Sequence, residues 1–408
     1  MKQQDLIPHL FRTEFSKITA VLCKLFGIEN IDAAEDIASD TFLAACETWP
    51  YKGIPENPSA WLYAVAKNKA KNYITRNKIF IQKIASEIKQ LVPKDEEMEI
   101  DMSDKNVKDG QLQMLFAVCH PSIPVEAQIG LSLRILCGFG IDEIANAFLT
   151  NKETINKRLF RAKEKLRTEK VKIVFPPREE IINRLETVLS TLYLLFNEGY
   201  YSESNDAILR EDFCNEAMRL VRLLIDNEET NLPPVNALYA LMCFHASRFA
   251  SRKNQSGEIV LYDEQDETLW NDELILKGSY HLNKASQGNK ISKYHLEAGI
   301  AYWHTVKENS KEKWESILQL FNHLLQLEYS PVAALNRTYA LSKARSNEEA
   351  IKEAEKLRLT GNHYYYTLLG ELYKSIDPQK ANQYFHKALS LAKTKPDKKT
   401  IRQKIDTL

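Results

Sequence analysis

The run Ile141-Asp142-Glu143-Ile144-Ala145, then Phe148-Leu149, Thr150-Asn151 and Lys152-Glu153-Thr154-Ile155-Asn156-Lys157-Arg158-Leu159-Phe160-Arg161-Ala162-Lys163, decides how the chain is read. Ile144 and Ala145 before the turn, and Ile155 and Leu159 after it, stand where two helices must pack at a steep angle. Thr150-Asn151 supplies the turn, so the run reads as a helix-turn-helix. Between Lys152 and Lys172 there are nine basic and three acidic residues, a local charge of +6. The second helix thus offers polar side chains for base edges and Lys/Arg for phosphates. An ordinary solvated basic helix is the competing reading, and the coincidence of spacing with charge favours DNA.

Downstream, Val174-Phe175-Pro176-Pro177 ends this unit. Everything after Arg178 reads as long helical hairpins, and 15 of the 18 tyrosines lie there. Leu335 and Leu369 are 34 residues apart, as are Tyr339 and Tyr373. Tyr366-x-x-Leu369-Gly370-x-x-Tyr373, then Ala381, Phe385 and Ala388, resembles a tetratricopeptide repeat, in which small residues let two helices approach and stacked hairpins bury one core. Weaker copies lie at 332–360, with Asn336 where glycine is usual, and at about 298–330. Residues 178–297 show no visible period and contain a polar irregular segment, Asn254 to Thr268.

Upstream, the segment 85–110 holds eight acidic and four basic residues and ends in Asp109-Gly110, the pattern of an acidic linker. The helix Ser59–Ile84 before it carries Lys67, Lys69, Lys71, Arg76, Lys78 and Lys83 and no acid, again +6. Trp61, Tyr63, Tyr73 and Phe80 interleave with these cations, a mixture that suits unpaired bases, although Trp61 is better read as core. Gly53, Pro55 and Pro58 mark a loop over 51–58. Earlier still, Ala33–Thr48 forms an acidic helix with Glu35, Asp36, Asp40 and Glu47, closed by Trp49-Pro50. Leu10 to Phe26 is amphipathic, with Phe15, Ile18, Val21 and Leu22 at helical spacing.

Composition sets outer limits. The 13 glycines and 14 prolines fall well below the usual share of about 12%, which points to a mostly helical chain. The formal net charge is zero, which taken alone argues against a nucleic-acid-binding protein. No run of about 18 apolar residues is present, and Met1–Leu10 lacks the apolar core of a signal peptide, so a cytoplasmic protein with no membrane partner is expected. The six cysteines are scattered, and Cys119-His120 has no second ligand pair at metal spacing. No metal, cofactor or catalytic site is expected. The C-terminal block has no GxSxG, P-loop, HExxH or GxGxxG pattern.

The order of these features carries a resemblance. Ala34-Glu35-Asp36-Ile37-Ala38-Ser39-Asp40-Thr41-Phe42-Leu43-Ala44, then Asn57-Pro58-Ser59-Ala60-Trp61-Leu62-Tyr63-Ala64-Val65-Ala66-Lys67-Asn68, then the helix-turn-helix, resemble regions 2 and 4 of an extracytoplasmic-function sigma factor of the sigma-70 family. Cys119-His120-Pro121, Phe196-Asn197-Glu198-Gly199-Tyr200 and Ser330-Pro331-Val332-x-x-Leu335-Asn336-Arg337 resemble the subgroup with a long C-terminal extension related to tetratricopeptide repeats. The resemblance implies an all-α protein: region 2 over 1–84, an acidic linker over 85–110, region 4 over 111–177, a helical extension over 178–297 and repeats over 298–408. It implies that Glu35, Asp36, Asp40, Thr41 and Phe42 bind the β′ clamp helices of core RNA polymerase. Lys52, Asn57, Ser59, Lys67, Asn68, Lys71, Asn72 and Arg76 would hold the −10 element; many relatives carry Asp where Asn72 stands. Lys152, Thr154, Asn156, Lys157, Arg158, Arg161 and Lys163 would meet the −35 element, with Arg158 the leading base reader because Arg pairs bidentately with guanine. The repeats would offer a groove to a protein or peptide and regulate the factor. The alternative is a helix-turn-helix regulator with a repeat-built sensing domain, which leaves the acid-free helix 59–84 unexplained.

Overall fold

A computed structural model of the chain describes residues 3–85, 100–148, 150–200, 210–252, 260 and 262–408. All regular elements among them are helices, the all-α class expected. Two compact units divide the chain, residues 1–194 and 195–408.

The first unit begins with α1 (Gln3–Phe26), whose Leu10, Phe15, Ile18, Val21 and Leu22 are buried on one face. Gly27, at φ +80°, ends it in a conformation that side chains with a Cβ rarely adopt. α2 (Ile31–Lys52) runs past Trp49-Pro50 and stops instead at Gly53, also at positive φ, whose N–H donates to the Trp49 carbonyl at 3.0 Å. α3 (Pro58–Ala85) buries Leu62, Ala66 and Ala70, one residue per turn.

α4 (Asp104–Val118) is N-capped by Ser103. Residues 104–110, assigned to the linker from sequence, are therefore its first turns, and residues 86–99 lie outside those described. Gly110 is a helical residue rather than a chain break, and it is buried against the Ala20 backbone of α1. α5 (Val125–Leu131) continues as a π-helical turn, Ser132–Leu136. α6 (Ile141–Ala147) and α7 (Lys152–Thr168) pack through Ile144, Ala145, Ile155 and Leu159, all buried. The Asn151 side chain caps α7 by accepting from the Thr154 N–H at 2.8 Å. α8 (Arg178–Tyr200) follows, and its Thr191 donates to Gln128 at 2.7 Å.

The second unit comprises α9 (Glu211–Asp226), α10 (Pro233–Ala246), α11 (Asp272–Ala285), α12 (Lys293–Trp303), α13 (Lys311–Leu327), α14 (Pro331–Ala344), α15 (Asn347–Leu357), α16 (His363–Tyr373), α17 (Pro378–Leu391) and α18 (Lys395–Asp406). α10 packs on α11 and α12, α13 on α14, and α16 on α17. Ser310, Ser330, Ser346, Asn362, Asp377 and Thr394 each cap a helix with a side-chain oxygen, so the starts of α13 to α18 are written locally in the sequence. The repeat pattern at 366–388 has a direct packing cause. Leu369, Gly370, Tyr373, Ala381, Phe385 and Ala388 are buried, and a Cβ on Gly370 would fall 2.6 Å from the Phe385 ring.

Phe42 of α2 is 4% exposed and meets the Phe11 ring edge-on at 5.0 Å, and the adjacent Thr41 is fully buried, donating to the Ile37 carbonyl. These two candidate polymerase contacts are core side chains, because the heptad-like spacing that carries Ile37, Ala38 and Ala45 inward carries them too. Phe42→Ala should lower the urea stability of the first unit by about 3–4 kcal/mol, as removal of a buried ring does. A loss under about 1 kcal/mol would mean that the ring is not core.

His281 and His304 of the second unit are held neutral. Burial pushes His281 down to about 4, helped by Arg222, Lys284 and Lys277, and its Nδ1 is 2.8 Å from the Asn236 side-chain oxygen. Burial pushes His304 down to about 3, with Arg248 and Lys313 adding to the effect. The unfolded chain takes up protons as pH falls through about 6.5 and the folded chain does not, so stability is present above that pH and is lost below it. Between pH 7 and pH 5 the loss should be on the order of 2 kcal/mol per histidine. Urea titrations at the two pH values should show the second unit weakening, and His281→Asn should reduce the difference.

Candidate nucleic-acid interface

On α3, Asn68, Lys71, Asn72 and Arg76 are exposed and Lys67 is half-buried. Spacings of four along 68, 72 and 76 place these three on one face. Among the described residues Lys67, Lys71 and Arg76 form no ion pair, which leaves their charge to solvent or to a ligand. Lys69 lies 3.5 Å from Asp40. At the start of the helix, the Asn57 side chain accepts from the Ala60 N–H at 3.0 Å, and Lys52 is exposed on the approach while Ser59 is half-buried.

The interleaved aromatics are engaged within the unit. Trp61 meets Trp49 edge-on at 5.4 Å. Tyr63 donates to the buried Glu14 carboxylate at 2.5 Å. Tyr73 donates to Asn30 at 3.2 Å and lies 5.0 Å from the Phe26 ring. The core reading of Trp61 therefore extends to Tyr63 and Tyr73, and the cations and amides of α3, rather than stacking platforms, form its open face. The side chains of Lys78, Phe80 and Lys83 lie outside those described.

On α7, Lys152, Thr154, Asn156, Lys157 and Arg161 are exposed. Lys152 pairs with Asp142 at 3.0 Å and Lys157 with Glu153 at 2.7 Å, both in solvent, where such pairs contribute about 0–1 kcal/mol and yield readily to a phosphate. The Arg158 guanidinium stands 5.5 Å over the Phe148 ring, which fixes its direction. Thr154, Lys157, Arg158, Arg161 and Lys165, with Glu126 of α5, line an open groove of ≈ 450 Å³. Four cations and one acid line this groove, and Lys157 and Lys165 among them are paired with Glu153 and Glu169, each at 2.7 Å.

Lys163 points away from that groove. Its Nζ lies 2.7 Å from Asp32 and 2.5 Å from Glu35, both on α2. Arg167, one turn on, also pairs with Asp32, and Arg134 of the π turn donates to Glu35 at 2.8 Å. Partial burial works against the Asp32 carboxylate, but hydrogen bonds from Lys163 and Arg167 outweigh it and hold its pKa below the ordinary carboxylate range. Burial likewise works against the Lys163 ammonium, yet the two carboxylates, Glu35 foremost, raise its pKa. Both ends are thus charged from about pH 4 to about pH 10. Of the five candidate polymerase contacts, Asp36 and Asp40 face solvent, Glu35 is 6% exposed and paired, and Thr41 and Phe42 are core.

Asp32, Arg134 and Arg167 escape sequence reasoning. Their partners lie 99 to 135 positions away, and no local spacing announces them.

Residues 10–79 match the Sigma-70 region 2 family, and residues 184–286 match a family of unknown function (DUF6596). An uncharacterized protein of Rhizobium meliloti (strain 1021) is 32% identical over 387 residues, covering 93% of this chain and 90% of its own. No solved structure matches. Among the described residues no helix is long and apolar enough to cross a membrane. The acidic α2 and the cationic α3 both fall inside the region 2 match, so the chain carries a Sigma-70 region 2 domain, and over most of its length it belongs to one family with the uncharacterized Rhizobium protein.

Proposed function

We propose that this protein is an extracytoplasmic-function-type sigma factor that brings core RNA polymerase to specific promoters and starts transcription there. The observation that carries the reading is the region 2 match over residues 10–79, which takes in both the exposed acids of α2 and the open cationic face of α3. Asp36 and Asp40 are the accessible acids of α2 and dock on the polymerase clamp. Lys67, Asn68, Lys71, Asn72 and Arg76 track the −10 strand, where an extracted base costs a few kcal/mol of lost stacking that a cationic track offsets. α6 and α7 act as the region 4 helix-turn-helix, with Asn156, Lys157, Arg158 and Arg161 on the −35 duplex. The helices after residue 178 regulate the factor or contact polymerase, and the hairpins at 298–408 suit a tetratricopeptide-like groove for a protein or peptide.

A stand-alone helix-turn-helix regulator is disfavoured, since it has no use for region 2. Run-off transcription with purified core polymerase and genomic fragments tests the proposal directly. Arg158→Ala should lower specific initiation and −35 protection about 5- to 150-fold, the worth of one bidentate base contact. Unchanged initiation and unchanged protection would remove α7 from promoter reading.

A further inference from the structure

Two cations are buried inside the second unit, Arg248 just past the end of α10 and Lys313 in the first turn of α13, 6% and 3% exposed. Both stand beside one aromatic ring. The Arg248 guanidinium is 5.3 Å and the Lys313 ammonium 5.8 Å from the centre of the Tyr262 ring. His304 meets that ring edge-on at 4.9 Å, and the Trp270 ring, 5% exposed, lies 6.5 Å from it. Lys313 is held by acceptors of the chain: its Nζ donates to the Val306 carbonyl at 2.6 Å and to the Tyr262 hydroxyl at 3.3 Å. Arg248 is served less well. Its Nη2 donates to the Tyr200 hydroxyl at a long 3.4 Å, its Nε has no acceptor, and no carboxylate among the described residues pairs with it. The Trp270 indole N–H is buried without an acceptor too. Two N–H donors, one of them charged, thus flank the same ring with no acceptor among the described residues.

We propose that this cluster binds the oxyanion of a small molecule, a carboxylate or a phosphate, with Arg248 as its anchor. A guanidinium taken out of water is costly unless it is paired, and an anion removes that cost. The planar fork of N–H donors matches the oxygens of a carboxylate or phosphate, and a bond to a charged acceptor is about twice as strong as one to a neutral group. Trp270 Nε1 offers a further donor to the same ligand. Lys313 adds a second full positive charge from a fixed position, and the surrounding rings keep water away, which strengthens attraction between unlike charges. With both cations under a tenth exposed, the site suits a small molecule rather than a protein surface or a nucleic-acid backbone. Its polar groups sit on short connections, the single helical turns Ala250–Arg252 and Tyr262–Glu264, carried by the rigid helices α10 and α13, a usual setting for binding residues. A ligand there ties α10, α13 and the Tyr262 turn together, so its binding stabilises the second unit. This site stands whether or not the first unit starts transcription.

The test uses the full chain, with inorganic phosphate and acetate as probes and ionic strength held constant with sodium chloride. The readouts are the indole N–H resonance of Trp270 in protein labelled at tryptophan nitrogen, identified by its loss in Trp270→Phe, and the thermal midpoint of the second unit. One anion or both should shift the Trp270 resonance saturably and raise the midpoint. Phosphate alone would name a phosphorylated ligand, acetate alone a carboxylic acid, and both the shared chemistry. Arg248→Met keeps the length of the side chain and removes the charge. It should weaken anion binding about 10- to 150-fold, the worth of a hydrogen bond to a charged group, and should unfold no earlier than wild type when neither probe is present. Arg248→Lys, which keeps the charge without the fork, should fall between in affinity. A Trp270 resonance that neither probe moves in the wild-type chain overturns the site. So does equal anion affinity in Arg248→Met. Earlier unfolding of Arg248→Met without either probe also overturns it, since Arg248 would then be satisfied by the fold itself.

Discussion

A carboxylate nearly removed from water has to be met by positive charge, and Glu35 is such a carboxylate. It sits on the second turn of α2, and among the described residues nothing in the preceding helices serves it with a cation. Arg134 and Lys163 do so, from elements 99 and 128 positions later. That single requirement fixes which end of α7 lies over α2 and places the π turn beside it. Apolar packing of α1 against α4 is less particular, since burial of greasy surface is non-directional. The ion pairs set the register, at a cost in desolvation that an apolar contact would avoid.

Charge in this chain is organised by face. α3 leaves Lys67, Lys71 and Arg76 without an ion pair among the described residues, α7 divides its cations between an open groove and α2, and α2 divides its acids between solvent and α7. A formal charge of zero is the sum of these parts. Long-range attraction to DNA is correspondingly modest, because phosphate affinity grows with the number of cations free to displace counterions. With Lys163 and Arg167 held on carboxylates, α7 presents a smaller positive surface than its sequence suggests.

Local features were legible without coordinates. The turn before α7 and its Asn151 cap, the buried quartet Ile144, Ala145, Ile155 and Leu159, and the glycine-to-ring contact of α16 with α17 all follow from spacing and residue type. Element ends were less so: Pro50 invited a stop that Gly53 makes three residues later. Gly110 read as a linker residue because glycine after aspartate is a turn signal, whereas it lies inside α4, against the α1 backbone. The roles of Thr41, Phe42, Tyr63 and Tyr73 were harder, since an amphipathic helix shows which residues share a face but not which neighbour that face meets. Pairs such as Arg167 with Asp32 lie beyond any window, because topology alone brings them together.

Two kinds of contact, ring-on-glycine packing in the second unit and the charged contact of α2 with α7 in the first, differ in how each can change. In the second, rings pack directly on glycines: Gly278 meets the Phe244 ring and Gly370 the Phe385 ring. Such packing has one good arrangement, and a small displacement forfeits contact on every side. In the first, the contact of α2 with α7 is made by charged groups whose partners are exchangeable in kind: one cation can stand in for another, provided it arrives before the carboxylate is left bare. An interface of that sort can be rigid in the free chain and still be handed over to a second charged surface, whereas an apolar interface of equal strength would have to be torn open first. The chemistry that makes Glu35 expensive to bury is thus also what allows a competitor to take it.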